Sequence, residues 1–159
     1  MAFLEELSKY KEKVVEILIS DMDLCKAVYY NNQNFLDQDD FDTSLLIYNN
    51  IFPFRFIPDA AQTQKTFITL TFGRITASSS TIKSERFCLN VFTHRDLFRT
   101  DYNATRVDFI INKIDQLMNR KRSLLGLGQL EFGYLDDIVV NDMFQGSTIC
   151  YLPKEFNVR

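Results

Sequence analysis

Residues 105–118, TRVDFIINKIDQLM, constrain this chain more than any other stretch. Val107, Ile110, Ile111, Ile114, Leu117 and Met118 recur at spacings of three and four, and polar residues fill the remaining positions. That is one apolar stripe of an α-helix, and a stripe of this width must be buried against another layer. The neighbouring segments supply the layer. NVFTHRD at 90–96, LLGLGQLEF at 124–132 and FQGSTICYLPKEFN at 144–157 read as strands around loops, so residues 90–157 predict half a sheet with one helix packed across it. Asp101 or Asn103 is the expected cap of the helix. The cations Arg120, Lys121 and Arg122 follow at its C-terminal end, where the helix dipole favours them.

The rest of the chain extends this half-sheet. Phe3, Leu7, Tyr10, Val14 and Ile17 mark an amphipathic helix over 3–19. A second short helix is predicted over 22–29, capped by Ser20 or Asp21, with Leu24, Ala27 and Val28 inward. A polar, acidic loop runs from 31 to 42. Two apolar runs at 44–57 are split by Asn49-Asn50, which tolerate turn geometry. Pro53 and Pro58 restrict this region to an edge or an irregular extended segment. Residues 66–75 alternate, with Ile68, Leu70 and Phe72 on one face and Thr69 and Thr71 on the other, as a half-buried strand does. Phe87, Leu89 and Val91 form the apolar face of a second strand. The serine-rich stretch 76–81 reads as a flexible tip joining the two into a long hairpin. Leu130, Phe132 and Tyr134 alternate as a further strand, and Ile149 and Tyr151 lie on the last. The predicted core is Ile68, Leu70, Phe87, Leu89, Val91, Ile110, Ile114 and Leu117. The fold class is α+β: a single domain over 1–159 with an antiparallel sheet of about four strands and helices on one face.

Composition narrows the function. A 159-residue chain that is 46% hydrophobic and 25% charged is an ordinary globular domain able to bury its own core. A net charge of −3 argues against a nucleic-acid-binding face. No apolar run approaches the roughly 20 residues that span a bilayer, and Glu5 interrupts any signal-peptide pattern. Cys25, Cys88 and Cys150 include no CxxC, so neither a zinc site nor a redox dithiol is indicated. Their odd number fits a reducing cytosol.

No catalytic, metal or cofactor set emerges. His94, the single histidine, has no nucleophile or ligand partner at a recognisable spacing and reads as structural. The cluster Asp37, Asp39, Asp40 and Asp42 fails the calcium-loop pattern, because Phe41, Asp42 and Tyr48 occupy the fifth, sixth and twelfth positions. Gly126-Leu127-Gly128 follows a helix and opens a strand, the reverse of a dinucleotide loop. Phe52, Phe54 and Phe56 alternate with Pro53, Arg55 and Ile57. They read either as core or as a subunit contact, since aromatics and Arg are enriched at interfaces. The candidate interface is Phe52, Phe54, Arg55 and Phe56, with the tip residues Thr76, Ser78, Ser79 and Ser80.

The order of elements resembles that of the tail terminator and neck (head–tail joining) proteins of long-tailed bacteriophages. The segments that carry the resemblance are IFPFRFIP at 51–58, VFTHRDL at 91–97, TRVDFIINKIDQLM at 105–118, LGLGQLEF at 125–132 and FQGSTICY at 144–151. Arg106, Asp108, Asp115, Gly126, Gly128 and Gly146 stand at its polar and turn positions. The resemblance implies a homo-oligomeric ring, typically a hexamer, that caps the tail tube and joins it to the head-side connector or stopper protein. It also implies location in the virion after synthesis in the host bacterial cytoplasm, with DNA passing through the ring but not read by it, and no enzymatic activity. The alternatives are another neck ring, a small cytosolic enzyme using Asp101, Asp108 and Asp115, and a monomeric or dimeric regulatory protein.

Overall fold

The computed structural model describes residues 2–59, 61, 64–73, 75–78, 81–84, 86–121, 130–153 and 156–157, with side chains from 8 to 73, 86 to 119 and 131 to 152 within those ranges. Three α-helices, α1 (Ala2–Ile19), α2 (Met22–Tyr29) and α3 (Arg106–Lys121), cover one face of a sheet. The strands are β1 (Ile51–Phe52), β2 (Thr66–Phe72), β3 (Ile75–Ser78), β4 (Thr81–Ser84), β5 (Phe87–His94), β6 (Leu130–Val139), β7 (Phe144–Pro153) and β8 (Phe156–Asn157). The main sheet has the order β1-β2-β5-β7-β6. Its last four strands are mutually antiparallel, as expected. The short β1 adds a parallel edge, pairing Ile51 with Ile68 and Phe52 with Thr69.

The predicted core holds. Ile68, Leu70, Phe87, Leu89 and Val91 of the sheet meet Ile110, Ile114 and Leu117 of α3, all almost fully buried. Leu24, Ala27 and Val28 of α2 and Val14 and Ile17 of α1 join them. Asp21 caps α2, its Oδ1 accepting from the Leu24 N–H at 2.9 Å. The cap of α3 is Thr105, whose Oγ1 accepts from the Asp108 N–H at 3.1 Å. Neither Asp101 nor Asn103 takes that role; Asn103 instead adopts the left-handed conformation, with φ 59°, in the preceding turn.

Several other expectations need correction. β2 is not half-buried: the residues read as its solvent face include Thr69, which is buried, and Phe67 on the same side is fully buried. Phe67, Phe92, Phe144 and Phe52 form a second small core on the helix-free face. Of the stretch read as a tip, 76–78 and 81 are in strands, and 79 and 80 lie outside the described residues. Thr76 pairs with Lys83 and Ser78 with Thr81, so β3 and β4 extend the long hairpin as a second ladder, to which β8 adds a third strand. The acidic loop is also partly ordered around a fully buried Phe35, which opens the 3₁₀ turn Phe35–Asp37.

Candidate functional site

Large apolar side chains left in solvent fall into two groups, at the two edges of the main sheet. Among the described residues, all but Tyr29, which stacks on Phe41, lie on the two flanks of the main sheet. On the β1 flank stand Leu45, Tyr48 and Phe54, with Ile57 further along the same segment. On the β6 flank stand Phe132, Tyr134, Leu135 and Val139, with Leu152 of β7 beside them. Tyr48 is 62% exposed, Phe54 47%, Leu135 52% and Val139 76%. Contiguous exposed apolar surface of this kind marks contact with another molecule.

The β1 flank is built by the turn that follows the 3₁₀ helix Thr43–Leu46. Asn49 and Asn50 donate backward to Leu46 O at 3.1 and 2.8 Å, and Asn50 Nδ2 reaches Thr66 O at 2.9 Å. The left-handed residue of this turn is Tyr48, with φ 62°, not either asparagine. An aromatic residue there is strained by about 1–2 kcal/mol. After Pro53 the chain runs along one end of the sheet to the β6–β7 turn, where Pro58 O accepts from Asn141 Nδ2 at 2.8 Å. This path divides the predicted aromatic contact. Phe52 and Phe56 stack at 4.2 Å over Phe67 and belong to the second core, whereas Phe54 and Arg55 face solvent. Thr76 and Ser78 are in β3, with side chains outside the described set, and Ser79 and Ser80 lie outside the described residues. Gly126, Gly128 and Arg122 also fall outside them, as do the side chains of Arg120 and Lys121.

The β6 flank was underestimated from sequence. β6 runs ten residues, five beyond Tyr134, and among the described residues pairs only with β7. A bulge at Gly133 shifts its register between Phe132 and Tyr134. Between the two flanks the helix-free face forms an open concavity of about 350 Å³. Its floor is Thr69, Thr71, Asn90 and Thr148, and Arg55 and Arg86 line it. Cys88 and Cys150 also lie in this floor, and they are bonded to one another. Their positions, 62 residues apart in sequence, come directly opposite in the β5–β7 ladder with Cα atoms 4.1 Å apart. The widely spaced cysteines therefore include a paired set, which only strand register reveals. Cys25 is a buried free thiol, and burial, then nearby Asp21, pushes its pKa up to about 12.

The other singled-out residues are structural. His94 is buried; its Nδ1 accepts from the Asp96 N–H at 3.1 Å and its ring meets Phe144 edge-on. Asp42 caps the Thr43–Leu46 turn through the Ser44 N–H and Oγ, which pulls its pKa below the ordinary carboxylate value. Asp40 pairs with Lys26 at 2.9 Å. Asp101 and Asp108 are exposed, and Asp115 accepts from the buried Tyr151 hydroxyl at 2.7 Å. Asp108 and Asp115 are seven residues apart on α3, about 10 Å along its axis, so they do not face one another across a reacting bond.

Arg106 is the functional-looking residue whose role sequence did not show. It is fully buried, with no carboxylate partner among the described residues. Nε donates to Leu97 O at 2.9 Å, Nη1 to Ala27 O and Tyr30 O at 2.7 and 2.8 Å, and Nη2 to Asn31 O and Asn32 O at 3.3 and 2.9 Å. The guanidinium lies 5.0 Å from the Phe35 ring. It sits at the negative end of α2 and ties that helix to the start of α3. Burial pulls its pKa down to about 10, so it stays charged at neutral pH.

The domain is of the α+β class, helices on one sheet face and an open, apolar-flanked sheet on the other. The chain belongs to the YomW family, whose model matches residues 21–152, from the α2 cap to β7. That family is named after a gene product of a Bacillus phage region, which associates it with phages and assigns it no function. No curated protein matches the chain.

Proposed function

We propose that this protein is a structural component of a phage particle: copies close into a ring, six-fold in the simplest case, at the head–tail neck. There the ring caps the tail tube and joins it to the head-side connector, and the protein performs no reaction of its own. One observation carries this reading. The sheet has two unlike apolar flanks on opposite sides, β1 with the Tyr48–Phe54 corner and the ten-residue β6. Open strands with exposed apolar side chains are an aggregation liability unless a partner covers them. Two different surfaces on opposite sides of one subunit are covered together when each copy binds the next, and such a contact closes into a ring when its rotation allows. Association with phages and the order of elements agree with a neck or tail ring.

The test is particle assembly with Phe54→Asp, which puts an unpaired charge into the contact while leaving the fold intact, since Phe54 is half exposed. Expected are a folded variant, no ring in negative-stain images, and heads and tails that do not join. If tails of normal length still join heads, or if the unaltered protein is absent from purified particles, the reading is wrong.

A further inference from the structure

We infer that the contact between copies is one-directional and charge-matched: the outer edge of β6, with Asp136 and Asp137, docks against the Tyr48–Phe54–Arg55 corner of the next copy. This inference rests on the ring reading and names its two surfaces.

Polarity follows from the placement of the surfaces. Each is apolar, but their composition and geometry differ. The corner presents Leu45, Tyr48 and Phe54 on a turn, and β6 presents Phe132, Leu135 and Val139 along a strand of roughly 34 Å. They lie at opposite edges of a five-stranded sheet, about 19 Å apart by strand spacing. Either surface binding its own copy would pair like with like and leave the other uncovered, whereas binding one to the other covers both.

The charges give the partner choice. Arg55 follows Phe54, is exposed, and forms no ion pair among the described residues. Lys65 lies beside the same turn, its Nζ 3.5 Å from Asn49 O. On β6, Asp136 and Asp137 are exposed and likewise form no ion pair among the described residues; Asp136 accepts only from the Asp137 backbone N–H, at 2.9 Å. Glu12 and Glu16 line a depression with Tyr48 and Pro53 at this same corner, and Glu16 lies 3.9 Å from Lys13 Nζ. The unpaired Arg55 on one flank and the unpaired Asp136 and Asp137 on the other favour the head-to-tail pairing, and the two carboxylates disfavour β6 against β6, which is how charge sets register at interfaces. Tyr48 belongs to the same surface: its N–H donates to Ile51 O at 3.0 Å and its ring lies 6.1 Å from that of Phe54, so the left-handed turn holds the two rings side by side in solvent.

The experiment uses the purified full chain in sedimentation velocity, with Arg55→Asp, with Asp136→Arg plus Asp137→Arg, and with all three substitutions together. Thermal melts check that each variant is folded. Either surface variant alone should self-associate at least about 30-fold more weakly than the parent. A 1:1 mixture of the two should regain an oligomer of alternating copies, because the acidic corner of the first meets the basic β6 of the second and the basic corner of the second meets the acidic β6 of the first. The triple variant, with both charges exchanged, should regain the parent oligomer. If the parent assembles but the surface variants assemble equally well, or if the folded mixture does not associate and the triple variant stays monomeric, the inference is overturned and the ring reading survives. A parent that is monomeric at every concentration and absent from particles overturns the ring reading and this inference with it.

Discussion

Replacing Arg106 by Met is the most demanding test of how this fold is held together. Methionine fills much of the same space but removes five donors at once, leaving the carbonyls of Leu97, Ala27, Tyr30, Asn31 and Asn32 without that partner. Hydrogen bonds from a charged donor contribute about 1.5–3 kcal/mol each, and burying the guanidinium offsets part of their sum. Burial also sets the sign of the pH effect. The folded-state pKa of about 10 lies below the ordinary 12.5, so the folded protein holds this proton less tightly than the unfolded chain. Carrying the charge therefore costs stability at all pH values below about 10, a cost that fades as pH rises from there toward 12.5. What stabilises the fold is the set of bonds, not the charge. The expected loss is about 3–5 kcal/mol, a large part of the roughly 5–15 kcal/mol of a typical domain. With a urea dependence of about 2 kcal/mol per molar, the unfolding midpoint should fall by roughly 2 M. Arg106→Lys keeps the cation but offers three donors without the planar fork, and should recover only part of this. Arg99→Met, an exposed control, should stay within about 0.5 kcal/mol of the parent. A midpoint for Arg106→Met within about 0.5 M of the parent would refute the reasoning, because five buried bonds cannot be lost that cheaply.

The remaining predictions concern the other flank and the strand ladder. Thiol titration of the unfolded, unreduced protein should find one reactive cysteine, and after reduction three; in the native protein Cys25 should resist alkylation at pH 8, where about one molecule in 10,000 carries the thiolate, so fast native labelling would contradict its burial. Gly146→Ala should cost more than about 3 kcal/mol or leave the protein insoluble, because a Cβ there runs into Val91 O and comes within 2.7 Å of Phe92 Cα; Gly133→Ala, with its nearest neighbour at 3.0 Å, should be much milder, and equal melting temperatures for the two would refute the register. Tyr48→Gly should raise the stability of an assembly-blocked background by up to about 1 kcal/mol, read as a higher melting temperature, by relieving the left-handed residue. A lower melting temperature would show that the ring of Tyr48 supports its own chain.

The helical side of the molecule was legible in sequence because its signals are local. The three-four spacing of α3, the alternation in β2 and β5 and the Asp21 cap each require only neighbours in the chain, and all appear in the structure. What escaped depends on long-range placement. Thr69 and Thr71 read as a solvent face because nothing local shows that residues 53–58 return over Phe67. Arg106 read as a polar position on a helix, since its acceptors are backbone carbonyls that any sequence would supply. The Cys88–Cys150 bond depends on a register that spacing alone does not give. β6 looked short because Leu135-Asp136-Asp137-Ile138 breaks the alternation that Leu130, Phe132 and Tyr134 begin. That break follows from its place at an edge, where the strand has one neighbour and its side chains need not alternate between core and water.

Stability and exposed apolar surface are separated in this molecule, and the separation has a functional consequence. The large core, the Arg106 clamp and the three helices all lie on one side of the sheet. The strained turn at Tyr48, the half-exposed Phe54 and the long edge of β6 lie at its flanks, where few buried contacts depend on them. Substitutions at the flanks should therefore change association without changing folding, and substitutions at Arg106 or Gly146 should do the reverse. Tyr48 N–H donates to Ile51 O and its ring lies 6.1 Å from that of Phe54, contacts that offset part of the strain in the free chain. In the ring proposed above, burial of the same two rings against the next copy would add to them, while the core on the helical side is complete without it.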